Sequence, residues 1–228
     1  MEDVFNSFSL GIGADGVPGY PLIEAYLTGK ELKTVAEIDA SVSDLMTSAR
    51  LYMYGLQFTY NPHRMILNRV TDVYLLDADG NRRELEDDKL YRVVADLYSG
   101  QMLSAVTKTS YGLLSVVPKK ADGTPIENFE DVILTDNGGE LKAWTAIAHY
   151  MESFPDENGD GIADIPQYYA GLHERKVVDD SFNLIKLIKN PNKYAVMIAG
   201  IVLIAILLVV LLIRLVLKSV SYTHLTLP

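Results

Sequence analysis

The chain has 228 residues, 49% of them apolar, and no cysteine. All 30 acidic residues but only 18 of the 20 basic ones precede Tyr194, leaving that part near −12. The length suits one soluble domain plus an anchor, or at most two small domains. The charge excludes a nucleic-acid partner, which needs a basic stripe, and the missing thiols exclude disulfides, thiolate nucleophiles and cysteine metal sites. Met1-Glu2-Asp3-Val4 shows no basic segment followed by an apolar run, so no signal peptide is read. Either the chain is tail-anchored or its true beginning lies upstream.

From the N-terminus, Gly11 to Pro21 is a dense turn region. Its glycines lack both the GKS/GKT ending and the GxGxxG order of a phosphate cradle, so a shaped loop is expected. Glu31 to Leu45 has helical spacing, with Leu32, Val35, Ala36 and Ile38 inward and Lys30, Glu31 and Lys33 on the solvated face. Leu51 to Tyr60, Val70 to Leu76 and Leu90 to Leu97 read as strands, the last as the best buried one. The turn Asp77 to Asn81 and the short separations predict a largely antiparallel sheet. Helices are expected over Gln101 to Lys108 and Gly139 to Phe154. The second carries an apolar stripe of Leu141, Trp144, Ile147, Ala148 and Met151, with His149 as a surface residue. The class is α+β.

Asp156, Asn158, Asp160 and Asp164 stand at positions 1, 3, 5 and 9 of an EF-hand-like loop, with Gly161 at 6 and the carbonyl of Ile162 at 7. Gln167 replaces the usual glutamate at position 12, and Pro166 is unlike an exiting helix. A weakened Ca²⁺ site over Asp156–Gln167 and an acidic, solvated turn both fit this pattern.

Phe182 to Lys189 is a short amphipathic segment, either resting on a bilayer or acting as a plain linker. Tyr194 to Ile213 is twenty residues without a charge. At about 1.5 Å per residue such a helix crosses a hydrocarbon core of about 30 Å. Tyr194 is expected as an interfacial aromatic, with Arg214 and Lys218 snorkelling at the far end. Lysines flank the near side too, so charge gives no orientation. The last residues, from Val220, have no periodicity and look like sequencing read-through.

In order and spacing, several runs resemble the C-terminal domain of the 5′-nucleotidase/2′,3′-cyclic phosphodiesterase family. They are Val4-Phe5, Leu27-Thr28-Gly29-Lys30-Glu31-Leu32, Tyr54 to Tyr60, Arg69-Val70, Asp88 to Ala95 and Glu140 to Trp144. The resemblance covers about Val4 to Tyr168. It implies a layered α/β domain (residues 1–172, incomplete at its start) that binds the nucleoside part of a nucleotide. A juxtamembrane linker (173–193), a single transmembrane helix (194–213) and a basic or polar tail (214–228) follow.

The apolar span makes a cell-membrane protein in contact with membrane lipid, and the resemblance implies that its soluble domain is extracellular, with nucleotide and a metallophosphatase domain as partners. That separate domain would hold two divalent metals about 4 Å apart and perform the hydrolysis. His63, His149, His173 and His224 stand in none of the family's metal motifs, so the chain reads as a fragment without catalytic residues. The base pocket maps to Leu10, Gly11 and Tyr98. Ser9-Leu10-Gly11-Ile12 stands where relatives have Pro-Phe-Gly-Asn, and Ser99 to Ser104 replaces a glycine-rich loop. The rival expectation is a noncatalytic surface binding or adhesion module with a calcium-stiffened base.

Overall fold

A computed structural model describes residues 2–43, 50–77, 79–109 and 114–224. After a short helix α1 (Glu2–Phe8), strand β1 (Leu22–Thr28) turns Ile23, Ala25 and Leu27 inward by simple alternation. β1 pairs antiparallel with β5 (Leu90–Asp96), from Leu22 opposite Asp96 to Thr28 opposite Leu90. Between them in sequence lie α2 (Gly29–Val42), β2 (Leu56–Tyr60), β3 (Val70–Leu76) and β4 (Arg82–Glu84).

A second sheet has the order β4-β3-β2-β8, where β8 (Lys176–Val178) runs parallel to β2 and the other pairs are antiparallel. The three strands expected to share one sheet are therefore divided. β2 and β3 form a hairpin pair, whereas β5 joins β1, a strand absent from the pattern reading. β5 has no buried residue and Val94 is exposed, so its apolar run marks a paired edge rather than a buried strand. β2 starts at Leu56, after Gly55 at φ +82°, and leaves Tyr52 and Tyr54 exposed.

α2 is set by a capping box. Thr28 accepts from the Glu31 backbone N–H, and the Glu31 carboxylate accepts from the Thr28 N–H at 2.8 Å. Glu31 also takes the Lys119 ammonium at 2.6 Å, so it is mostly buried instead of lying on the solvated face. Leu32, Val35, Ala36 and Ile38 enter the core with Phe58, Val73 and Val116, as their spacing predicts. Glu37 is buried as well. It accepts from Arg69 N–H (2.7 Å), Val70 N–H (2.9 Å) and the Ser41 hydroxyl (2.7 Å), so the start of β3 is tied to α2.

α3 (Leu97–Thr109) begins earlier than expected and follows β5 without a break. The C-terminal part of the domain adds a hairpin, β6 (Thr135–Asp136) and β7 (Gly139–Glu140), and then α4 (Ala143–Glu152). The helix expected from Gly139 starts at Ala143 because Asn137 and Gly138, both at positive φ, make a tight hairpin turn. α4 leans on α1 through an edge-on contact of Trp144 with Phe5, centroids 5.2 Å apart.

Within residues 173–193, β8 belongs to the second sheet, and α5 (Leu184–Ile188) follows it. α6 (Lys193–His224) contains an apolar stretch, Lys193–Lys218, of a length and composition compatible with one membrane span. Its first turn is not free: Tyr194 and Ala195 are 4% and 6% exposed, and Tyr194 sits in the main core instead of at an interface.

Candidate functional site

Residues Leu10 to Tyr20 form a narrow hairpin. Gly19 N–H donates to the Gly11 carbonyl at 2.8 Å, Tyr20 N–H to the Leu10 carbonyl at 3.0 Å and Gly13 N–H to the Val17 carbonyl at 3.1 Å. Asp15 closes the tip by accepting the Val17 N–H. Gly11 adopts φ +81°, and a Cβ there would lie 2.5 Å from the Tyr20 ring, so glycine is required both by conformation and by the ring's close approach.

The hairpin is seated from below. The Lys142 ammonium, nearly solvent-free, bridges Asp15 (2.8 Å) and Glu140, and Trp144 donates its indole N–H to the Pro18 carbonyl at 3.0 Å. Burial pushes the Lys142 amine down, but hydrogen bonds to both carboxylates outweigh it and hold the amine above its ordinary value. Asp15 is held below the usual carboxylate range, chiefly by Lys142.

Tyr98 lies in the first turn of α3, not at a strand end. Asp96 caps this turn by accepting from the N–H and the hydroxyl of Ser99. Tyr98 is half exposed, and its ring stacks with that of Tyr20 at 5.6 Å and 25°. Leu10, 77% exposed, sits beside this pair at the hairpin edge.

Tyr20 therefore links the expected residues: it touches Gly11, bonds the Leu10 carbonyl and stacks on Tyr98. In the sequence Tyr20 reads only as part of a turn. The available signal is its position between Gly19 and Pro21, where an aromatic ring has little room to turn inward. The arrangement offers an aromatic ledge, one face of Tyr98 already covered by Tyr20. A flat ring of this kind can stack on a base. Leu10, Gly11 and Tyr98 lie outside the two clefts of about 330 Å³ and 240 Å³, whose walls include Glu24, Tyr26 and Asp131 in one and Asn61, Arg64 and Lys186 in the other.

In the Asp156–Asp164 loop the oxygens turn toward backbone. Asp156 accepts from Gly159 and Gly161, Asn158 from Asp160, Asp160 from Ile162 and Asp164 from Glu157. The Gly161 N–H is the main reason the Asp156 carboxyl lies below its ordinary value. Among the described residues no three or more His, Asp or Glu side chains converge as a metal-holding group.

Compared with known proteins, residues 17–106 match the model of the 5′-nucleotidase C-terminal domain, a stretch that includes Tyr20 and Tyr98 but not Leu10 or Gly11. Among solved structures, a 5′-nucleotidase precursor from Thermus thermophilus is similar over 70% of this chain and 25% of its own, with 20% identity and a TM-score of 0.44. The NAD nucleotidase of Haemophilus influenzae is similar over 43% of this chain and 17% of its own, with 23% identity and a TM-score of 0.34. The chain thus spans a quarter or less of the length of these two proteins. No curated protein matches the sequence.

Proposed function

We propose, from the 5′-nucleotidase C-terminal domain that residues 17–106 carry, that this chain is the substrate-side domain of a membrane-anchored surface nucleotidase. The observation that supports it best is the Tyr20–Tyr98 stack, which presents an aromatic face inside the matched stretch. In this reading Tyr98, Tyr20, Leu10 and Gly11 receive the nucleoside base. Phosphate-ester hydrolysis is the work of a metallophosphatase domain that supplies the divalent metals, because the described residues have no clustered imidazoles and carboxylates to hold two ions. α6 anchors the domain in the cell membrane, with the soluble part outside. The Asp156–Asp164 loop takes calcium and stiffens the domain's base.

A second reading, a noncatalytic surface binding module, is favoured by one observation: Tyr20 already covers one face of Tyr98. Titrating the chain with purine and pyrimidine nucleosides separates the two, with Tyr20, Tyr98 and Trp144 as spectroscopic reporters. A saturable shift supports the substrate domain. A flat response to every nucleoside removes that assignment and leaves the binding module.

A further inference from the structure

The segment joining the domain to α6 is held by its backbone and by the Phe182 ring, which stacks on His63 with centroids 3.7 Å apart, while Leu184, Ile185 and Ile188 of α5 are left exposed. Arg64, 6% exposed, donates to the carbonyls of Lys186 (2.6 Å), Lys189 (2.9 Å) and Asn68 (2.6 Å). The first two are orphan carbonyls at the C-terminal end of α5, where partial negative charge accumulates. The Asn61 amide donates to the Ser181 carbonyl at 2.8 Å, and Asn192 is gripped twice, by Asn68 Oδ1 at 2.9 Å and by the Leu67 carbonyl at 2.5 Å. Asn192 in turn accepts the N–H groups of Tyr194 and Ala195, capping α6.

A five-residue helix has no stability of its own. A buried guanidinium is a costly way to hold a passive tether, since removing the cation from water costs several kcal/mol. The clamp fixes one orientation, and in it Phe182, Leu184, Ile185 and Ile188 are 71%, 76%, 73% and 73% exposed. Those four side chains belong to the same chain as the apolar stretch that starts at Lys193. Ile188 precedes it by five residues, a reach of at most about 18 Å. Lys186, Lys189 and Lys193 are interleaved; Lys186 pairs with Asp179 at 3.2 Å, and Lys189 and Lys193 suit an apolar face entering the headgroup layer with ammonium groups at lipid phosphates.

We propose that α5 lies in the headgroup layer of the phospholipid bilayer that α6 crosses, and that Arg64 fixes the attitude of the soluble domain on that surface. This rests on the membrane-anchor part of the proposed function and not on nucleoside binding. The domain is thus seated on the membrane and not carried on a mobile stalk. The bilayer is the occupant argued for because the exposed face lies five residues before the apolar span and carries lysines, in a domain otherwise strongly acidic.

The absence of cysteine allows single nitroxide labels to report depth. The full chain is placed in phosphatidylcholine/phosphatidylglycerol vesicles with a label at Ile185→Cys, at Leu207→Cys within the span, or at Asp87→Cys on the exposed surface. The Ile185 label is expected to fall between the other two, with fewer collisions with a water-soluble nickel chelate than Asp87 and fewer with oxygen than Leu207. An Ile185 label that behaves like Asp87 while Leu207 stays in lipid overturns the seat and spares the anchor; an aqueous Leu207 label overturns both.

Arg64→Ala is expected to increase motion of the Ile185 label and to lose its depth, and unchanged motion and depth would overturn the clamp. The surface double substitution Leu184→Ser/Ile188→Ser leaves the core intact and makes the same label shallower. Unchanged depth in that variant, or seating only when a partner protein is added, counts against the bilayer.

Discussion

The ring of Tyr20 lies within 25° of parallel to that of Tyr98, and it closes over Gly11 so tightly that a Cβ there would lie 2.5 Å from the ring. Tyr20 is therefore a structural bridge as well as a candidate contact. Base–aromatic stacking is worth about 1–3 kcal/mol per ring by alanine substitution. Tyr98→Ala should weaken nucleoside affinity by that amount, while Tyr98→Phe keeps it, both read by fluorescence titration. Tyr20→Ala should lose affinity too, and so should Gly11→Ala, because its methyl displaces the Tyr20 ring. Affinity unchanged in Tyr98→Ala would remove the ledge as the base site.

The hairpin bearing Leu10 and Gly11 depends on a cation far along the chain, since Lys142 bridges Asp15 at its tip, 127 residues away in sequence, and Glu140 beneath it. Lys142→Met removes the cation and leaves the mostly buried Glu140 unpaired, a loss of about 3 kcal/mol for a broken buried pair. The single tryptophan, Trp144, bonds Pro18 on the same hairpin and reports its release. We expect a lower urea midpoint and a red-shifted emission for Lys142→Met, and a smaller loss for Glu140→Gln, which retains an acceptor.

The sequence makes parts of this arrangement legible and hides others for definite reasons. The inward positions Leu32, Val35, Ala36 and Ile38 of α2 follow from helical spacing and β3 from alternation, whereas the burial of α2 on every side from Val35 to Ser41 does not. Glu31 reads as solvated because charge is normally exposed, and nothing local marks Glu37 as buried. Only the backbone N–H groups of Thr28, Arg69 and Val70, brought close by the fold, show why carboxylates sit inside. The β1–β5 pairing joins segments about seventy residues apart and carries no local signal. Tyr98 is placed by the family resemblance, but its neighbour Tyr20 is not, since stacking across the β1–α3 junction depends on tertiary geometry. Likewise the linker reading of 173–193 rests on local polarity, and the partners that hold it, Asn61, Arg64 and Asn68, lie over a hundred residues upstream.

The calcium reading of the Asp156–Asp164 loop is open to a direct test. The carboxylates of Asp156, Asp160 and Asp164 accept backbone N–H bonds, and an ionised carboxylate has about four acceptor positions, so capacity remains for a cation. Calcium in roughly hundredfold excess over its Kd would stabilise the folded chain by about 2.7 kcal/mol. A higher melting temperature in calcium than in chelator, absent in Asp156→Asn/Asp160→Asn, is the expected result. Equal melting in both leaves an acidic turn.

Glu31 sets part of the pH dependence. Burial pushes its carboxyl up, but Lys119 together with the N–H groups of Thr28 and Val117 brings it below the ordinary glutamate value of 4.5. A folded-state pKa below the unfolded one means the unfolded chain binds more protons. Glu31 therefore stabilises above pH 4.5, and this contribution is lost as pH falls through its folded value. Glu31→Gln should be destabilised most at neutral pH, with the gap to the parent chain closing in acid, read from urea midpoints. Glu37 works in the opposite sense: burial holds its carboxyl above 4.5, so its contribution fades as pH rises. A gap that widens in acid would contradict the Glu31–Lys119 assignment.

Tyr194 joins the span to the domain through an apolar contact and at a polar cost. Its ring is 4% exposed within the core that includes Val35 and Phe58, yet its hydroxyl is buried without a hydrogen-bond partner among the described residues. An unsatisfied buried hydroxyl costs about 1–3 kcal/mol. Tyr194→Phe keeps the ring, removes that cost and should raise the melting temperature in detergent micelles. Tyr194→Ala deletes the ring and should cost about 3–5 kcal/mol, as for other large core truncations. It should also expose the chain around Asn192 to protease, because the cap at the start of α6 loses the packing beside it. If Tyr194→Phe melts lower than the parent, the hydroxyl has a partner in the folded chain, and the first turn of α6 is held by a polar bond as well as by packing.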